Sequence, residues 1–142
     1  MAIYSLAQRC INTSVDTCAW EIRTASTDRP RLYELGVSQT NGNACFLGLG
    51  RSSAIGTSPT LPATFIAEDT SDPVGTVIGA VAWASGPSAP TNYLRRLHVP
   101  ALTGSTTIIT FPRGLLIPVS ASLVLWNIVS NGLCDVWAVI EE

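Results

Sequence analysis

Ser122-Leu123-Val124-Leu125-Trp126-Asn127-Ile128 decides how this chain is read. Laid out as a strand, it puts Leu123 and Leu125 on one side and Val124, Trp126 and Ile128 on the other. Asp135-Val136-Trp137-Ala138-Val139-Ile140 repeats the arrangement, with Val136, Ala138 and Ile140 opposed to Trp137 and Val139. From Gly114 to Cys134 there is no Asp, Glu, Arg or Lys. A sheet that meets water on one face alternates apolar and polar residues. These strands do not, so both of their faces need cover. With few helical candidates in the chain, the expected second cover is another copy of the protein. Val124, Trp126, Ile128, Trp137 and Val139 are then residues of a subunit contact, because large rigid aromatics dominate association energies.

Composition points the same way. A chain of 142 residues fits a single domain, 1–142, and buries about two-thirds of its unfolded surface. Hydrophobic residues make up 46% and charged residues 13%, well under the usual quarter or so. Much of the exterior must therefore be hidden, in a membrane or in an interface. The net charge of −2 argues against a nucleic-acid partner. Every basic residue is Arg and none is Lys. Codon usage in a GC-rich genome accounts for that, as does the preference of interfaces for the bidentate guanidinium.

The chargeless stretch from Gly114 has about the length of a spanning helix. Pro118, Ser120, Ser122, Asn127, Ser130, Asn131 and Gly132 interrupt it, and its apolar groups fit strands, so no membrane segment is expected. The start, Met1 to Arg9, lacks the basic and long apolar regions of a signal peptide, which leads to an expectation of synthesis in a host cytoplasm. Cys10, Cys18, Cys45 and Cys134 match no C-x-x-C spacing. Buried thiols are the expectation; a Cys10–Cys18 bridge would require an oxidising compartment.

Along the chain, residues 1–18 read as an N-terminal arm or a pair of short strands. Ala19 to Thr24 alternates with period two as a half-buried strand, and Arg31 to Ser38 follows after Asp28-Arg29-Pro30. Asn41-Gly42 lies between that run and Ala44 to Leu49 and predicts a hairpin. Residues 50–63, rich in Gly, Pro and small side chains, predict an ordered irregular loop. Shorter strands over 64–67 and 76–84 precede Tyr93 to Val99, Ser105 to Phe111 and the two closing strands. The class is all-β. About eight to ten short strands with Gly and Pro turns predict a two-sheet antiparallel β-sandwich of jelly-roll type, or a closed barrel.

Candidate chemistry is sparse. His98 is the only histidine, so neither a catalytic triad nor a multi-histidine metal site has a second member. Gly48-Leu49-Gly50-Arg51 with Ser52-Ser53 has the composition of a phosphate cradle but lacks the P-loop lysine and a following helix. Glu68, Asp69 and Asp72 share one turn and could attract Ca²⁺, although such clusters are commonly solvated turns. No catalytic residue, cofactor or metal is assigned, and an enzyme is not expected. Arg95 and Arg96 are adjacent on a strand and so predict one guanidinium in a buried or interfacial salt bridge. Phe111 and Arg113 flank the Pro112 turn, which serves either as a partner contact or as a strand connection governed by Gly114.

Several motifs together resemble a family of small virion proteins of tailed phages and prophages. They are Gly48-Leu49-Gly50-Arg51 with Ala54-Ile55-Gly56 and Pro59-Thr60, and Ala82-Trp83 with Pro87 and Pro90. Leu94-Arg95-Arg96-Leu97 with Pro100, Thr110-Phe111-Pro112-Arg113-Gly114-Leu115, Ser122 to Asn127 and Asp135 to Val139 complete the set, over residues 31–142. The resemblance implies a β-sandwich subunit of a virion, a trimeric decoration or cement protein bound to a capsid or tail. Its partners would be its own copies, the major capsid protein or other virion proteins. Trp126, Trp137 and Arg95 with Arg96 would serve the trimer, while Arg51, Phe111 and Arg113, with loops 50–63 and 86–92 and the N-terminal arm, would meet the shell. The competing expectation is a carbohydrate- or receptor-binding module on the same fold, with Tyr93 and Asn92, or Asp69 and Asp72, as its ligand groups.

Overall fold

The computed structural model describes residues 1–142, and the chain is all-β. Its strands are β1 (Ile3–Cys10), β2 (Thr17–Arg23), β3 (Arg31–Gln39), β4 (Cys45–Arg51), β5 (Thr57–Pro59), β6 (Pro62–Thr64) and β7 (Ile66–Ala67). They continue with β8 (Ile78–Ala80), β9 (Trp83–Ser85), β10 (Tyr93–Val99), β11 (Thr106–Leu116), β12 (Ser122–Asn127) and β13 (Cys134–Glu141). A five-stranded sheet has the order β11-β3-β13-β1-β7, and a six-stranded sheet the order β10-β4-β12-β2-β8-β6. All ladders in both are antiparallel. β5 and β9 form a separate two-stranded ribbon.

The two sheets pack as a β-sandwich. Strands β1 to β4 and β10 to β13 switch sheets at nearly every step, and only β4 and β10 follow one another within a sheet. Between the sheets lies a single core of 25 buried residues, including Trp20, Ile22, Leu35, Leu47, Leu125 and Ile140. Trp20 and Phe65 stack at its centre with ring centroids 6.4 Å apart.

Of the two readings of the N-terminus, an arm or short strands, residues 3–10 take the second: β1 pairs with β13 along its whole length, from Ile3 opposite Glu141 to Cys10 opposite Cys134. Its alternation of buried Tyr4 and Leu6 with outward Ser5 and Ala7 supplies the reason. Asn41-Gly42 does not close a hairpin, since β3 and β4 belong to different sheets. The turn instead arches across the sandwich around the buried Gln39, whose Oε1 accepts from the backbone N–H of Asn41 (2.9 Å) and Gly42 (2.7 Å). The strand expected to end at Leu49 runs on through Gly50 and Arg51. Gly48 is required there because the Tyr93 ring occupies the space of a Cβ. Residues 50–63 are less irregular than expected, since β5 falls within them and β6 begins there.

All four cysteines are free and buried. Cys10 and Cys134 face each other across β1 and β13, and Cys45 Sγ donates to the Gly132 carbonyl at 3.5 Å. Neighbouring thiols and burial push Cys45 and Cys134 above their ordinary range, Cys45 mainly through Cys134 and Cys134 mainly through Cys10, while burial raises Cys18. The thiolate is the reactive form. Native protein should therefore resist iodoacetamide near pH 8, with all four sites alkylating at least about a hundredfold faster in denaturant. Stoichiometric labelling of the folded chain within minutes would contradict this packing.

Candidate functional site

The two outer faces of the sandwich differ. On the six-stranded sheet, Val124 and Trp126 of β12 point away from the core and form a second cluster with Cys18, against which Trp83 and Tyr93 pack. Val124 has no accessible surface and Trp126 retains 7%. Their cover is the chain's own segment between β4 and β10, which corrects the expectation that another subunit supplies it. Glu21 clasps that segment. Although it alternates with Trp20 and Ile22 and so faces outward, it is fully buried. Its carboxyl oxygens accept hydrogen bonds from the Gly56 backbone N–H (3.0 Å) and Trp83 Nε1 (2.7 Å). Arg23 adds a bond from its guanidinium to the Gly56 carbonyl at 2.7 Å.

The five-stranded sheet has no such cover. Register places Ile108, Gly36, Trp137 and Ala7 in one row across β11, β3, β13 and β1. Because directly paired residues share a face, the row lies on the outer side, opposite the buried Val136, Ala138 and Ile140. The indole of Trp137 lies over Gly36, in space that any Cβ would fill. Its Nε1 donates to Glu34 Oε1 at 2.9 Å. The next row carries Val139 beside Ser5 and Ile66. Trp137 and Val139 are half-buried, whereas Ile108 is 53% and Ile66 69% exposed. A polar rim surrounds the apolar centre. Arg9 and Asp135 form the chain's one salt bridge, at 2.8 Å, and Tyr33 Oη donates to Glu141 at 2.8 Å.

A cleft of about 510 Å³ opens at one end of the six-stranded sheet between residues 11–18 and 81–87, with Trp126 and Trp83 among its lining groups. Another concavity, of about 370 Å³, lies where the β11–β3 register breaks between Thr110 and Leu115. Arg95, Phe111 and Arg113 meet there.

Of the expected interface residues, Trp137 and Val139 share the uncovered face. Val124 and Trp126 are enclosed on the other sheet, and Ile128 is half-buried beyond the end of β12. Arg95 and Arg96 are both exposed and neither forms a salt bridge within the chain, so the expected pair is not a buried one. A register shift between Tyr93 and Arg95 disturbs strict alternation at this end of β10. The Arg95 guanidinium lies 5.7 Å from the centre of the Phe111 ring, and that of Arg96 5.4 Å from Tyr93. Each thus gains a cation–π contact while staying hydrated. Phe111 is buried, so of the expected shell contacts only Arg51 and Arg113 present accessible side chains. Arg51 donates to the Leu116 carbonyl at 2.9 Å.

Tyr93, an expected ligand group, packs on Gly48. Asp69 is occupied within its own turn, accepting from the Ser71 N–H (2.9 Å) and hydroxyl (2.7 Å), bonds that hold its carboxyl below the usual range. No three His, Cys, Asp or Glu side chains are grouped to hold a metal ion. His98 stacks on Phe46 with centroids 4.2 Å apart on the exposed side of β10 and β4. Comparison with protein-family models, with curated proteins and with solved structures finds no match to this chain.

Proposed function

We propose that the chain is a structural subunit of a virus particle, a decoration or cement protein that associates with its own copies as a trimer. The contact runs through the outer face of the five-stranded sheet. The observation that carries this reading is the difference between two sheets of one sandwich. The six-stranded sheet has its outer apolar residues enclosed by a clasped segment, whereas Trp137, Val139, Ile108 and Ile66 have no such cover. A half-buried indole at the centre of a flat apolar row, ringed by paired charges and hydrogen-bonded polar groups, has the anatomy of a subunit contact. The phage-virion resemblance of the β10, β11, β12 and β13 motifs supports the particle assignment. The shell-facing groups are Arg113 and Arg95 beside Phe111, together with Arg51.

Trp137→Glu is the direct test. Loss of a central tryptophan contact costs roughly 2–4 kcal/mol, and a buried carboxylate adds to this. In sedimentation equilibrium the unsubstituted chain should behave as a trimer and the variant as a monomer with unchanged circular dichroism. An unsubstituted chain that remains monomeric at high micromolar concentration would end the assembly reading. Co-sedimentation with phage shells lacking decoration then addresses the particle half. The trimer should travel with shells, and Arg95→Ala with Arg113→Ala should release it. Failure of the trimer to bind any shell, with assembly intact, would overturn the particle assignment alone.

A further inference from the structure

We infer that the cleft between residues 11–18 and 81–87 is a binding site for a pyranose sugar ring. It lies on the six-stranded sheet and is independent of the face proposed for assembly. Its volume, about 510 Å³, falls within the usual range of small-ligand sites, roughly 300–1,000 Å³.

The polar groups of the cleft select the ligand. Trp126 is 7% exposed, and its indole N–H makes no hydrogen bond. Ser122 Oγ is the only buried side-chain nitrogen or oxygen that is both sealed off and unpaired. The Trp126 N–H therefore keeps access to solvent, and Trp126 lines this cleft. A nearly enclosed donor without an acceptor is an incomplete arrangement, because buried indole N–H groups usually find partners.

Acceptors lie on the 11–18 side. The side-chain amide of Asn12 is oriented by donation from Nδ2 to the Cys18 carbonyl at 3.2 Å, which leaves Oδ1 without a donor. Asp16 also lines the cleft, with an exposed carboxyl group that no side chain or backbone group satisfies. It is held in the left-handed region at φ 55°, where its backbone N–H donates to the Asn127 carbonyl at 2.9 Å. Asp tolerates that conformation better than most residues do. Trp83 supplies an immobile apolar wall, fixed through Nε1 by Glu21.

One unpaired donor and two unpaired acceptors beside tryptophan rings favour a ligand that both donates and accepts through hydroxyls and carries an apolar face. A pyranose meets all three conditions. Anions are disfavoured because the lining contains Asp16 and no Arg. A quaternary ammonium has no acceptor to offer and would leave the Trp126 N–H unanswered.

The test titrates ¹⁵N-labelled protein with the methyl pyranosides of glucose, galactose, mannose and N-acetylglucosamine, while following the Trp126 indole N–H resonance. Assignment comes from its disappearance in Trp126→Phe. At least one sugar should shift that resonance saturably, with millimolar affinity. Asp16→Gly removes the carboxyl group while suiting the left-handed backbone, so it should fold with unchanged circular dichroism and bind at least about tenfold more weakly. Asp16→Asn, which retains one acceptor, should fall between. The inference is overturned if no pyranoside moves the resonance. It is equally overturned if choline alone does, or if binding to Asp16→Gly is undiminished.

Discussion

Replacing Glu21 by alanine should destabilise the chain by about 3 kcal/mol, since two donors lose their acceptor and each unsatisfied buried group costs roughly 1–3 kcal/mol. The donors are the Gly56 N–H and Trp83 Nε1, bonded to Glu21 at 3.0 and 2.7 Å. For a chain of this size the melting temperature should fall by roughly 10 °C. The effect goes beyond two hydrogen bonds. Glu21 is the point at which the segment between β4 and β10 is fastened over Val124 and Trp126, so its loss admits water to that cluster. Tryptophan emission of the folded variant should shift to the red, and thermal unfolding followed by circular dichroism should report the stability loss. Glu21→Gln should lose about half as much, because its carbonyl satisfies one donor while its amide nitrogen opposes the other. A melting temperature within about 2 °C of the unsubstituted chain for Glu21→Ala would mean that the segment is held by its apolar contacts alone.

The same residue shows where sequence reading stops. Ala19-Trp20-Glu21-Ile22-Arg23 has the alternation of a half-buried strand, and the inward positions were legible because Trp20 and Ile22 recur with period two. Glu21 reads as solvent-facing on that pattern. Its burial depends on residues 35 and 62 positions further along, which no local period encodes. The two-sided apolar character of β12 was legible too, and it correctly demanded cover on both faces. The source of the cover was not, because the Gly- and Pro-rich run from residue 50 to residue 92 gives no periodic signal of the face it packs on. Gly48, Gly50 and Gly56 are part of the reason it fits. Tyr93, Pro90 and Trp83 respectively occupy the space beside them.

The uncovered face was legible in one strand and hidden in its neighbours. Trp137 and Val139 emerge from the alternation of β13. Ile108 and Ala7 join them only through the register of β11 and β1, which is a property of the assembled sheet. The N-terminal strand was difficult for a related reason: its outward residues after Ile3 are small or polar, and it gains its place by pairing with β13 at the far end of the chain. Asn41-Gly42 misled in the opposite direction. Its turn chemistry is real, with Gly42 at φ 82°. A local motif specifies a change of chain direction, however, and not whether the next strand joins the same sheet or the opposite one.

Gly36→Ala tests the uncovered face from beneath. An alanine Cβ would fall within the Trp137 ring, against Cζ2 and Cε2, and the rigid indole cannot yield without rotating as a whole. Rotation forfeits its bond to Glu34, 2.9 Å in length, and lifts it from the strand it covers. Forced repacking of this kind costs roughly 1–3 kcal/mol, and the lost hydrogen bond adds about 1 kcal/mol. Alanine's slightly better strand entropy offsets only part of this. The expected outcome is a destabilisation of about 2 kcal/mol in urea unfolding, with circular dichroism still that of a sandwich. Association should suffer more than stability does, because the displaced indole breaks the flat row between Ile108 and Ala7. The affinity of the proposed trimer should fall at least about thirtyfold, in line with the loss of a central aromatic contact. The double variant Gly36→Ala, Trp137→Ala separates the two effects. Removal of the ring relieves the clash and should restore much of the stability, yet it cannot restore assembly. If the double variant recovered the trimer, the contact would lie on another surface, and the Trp137 row would be a packing feature of the isolated subunit.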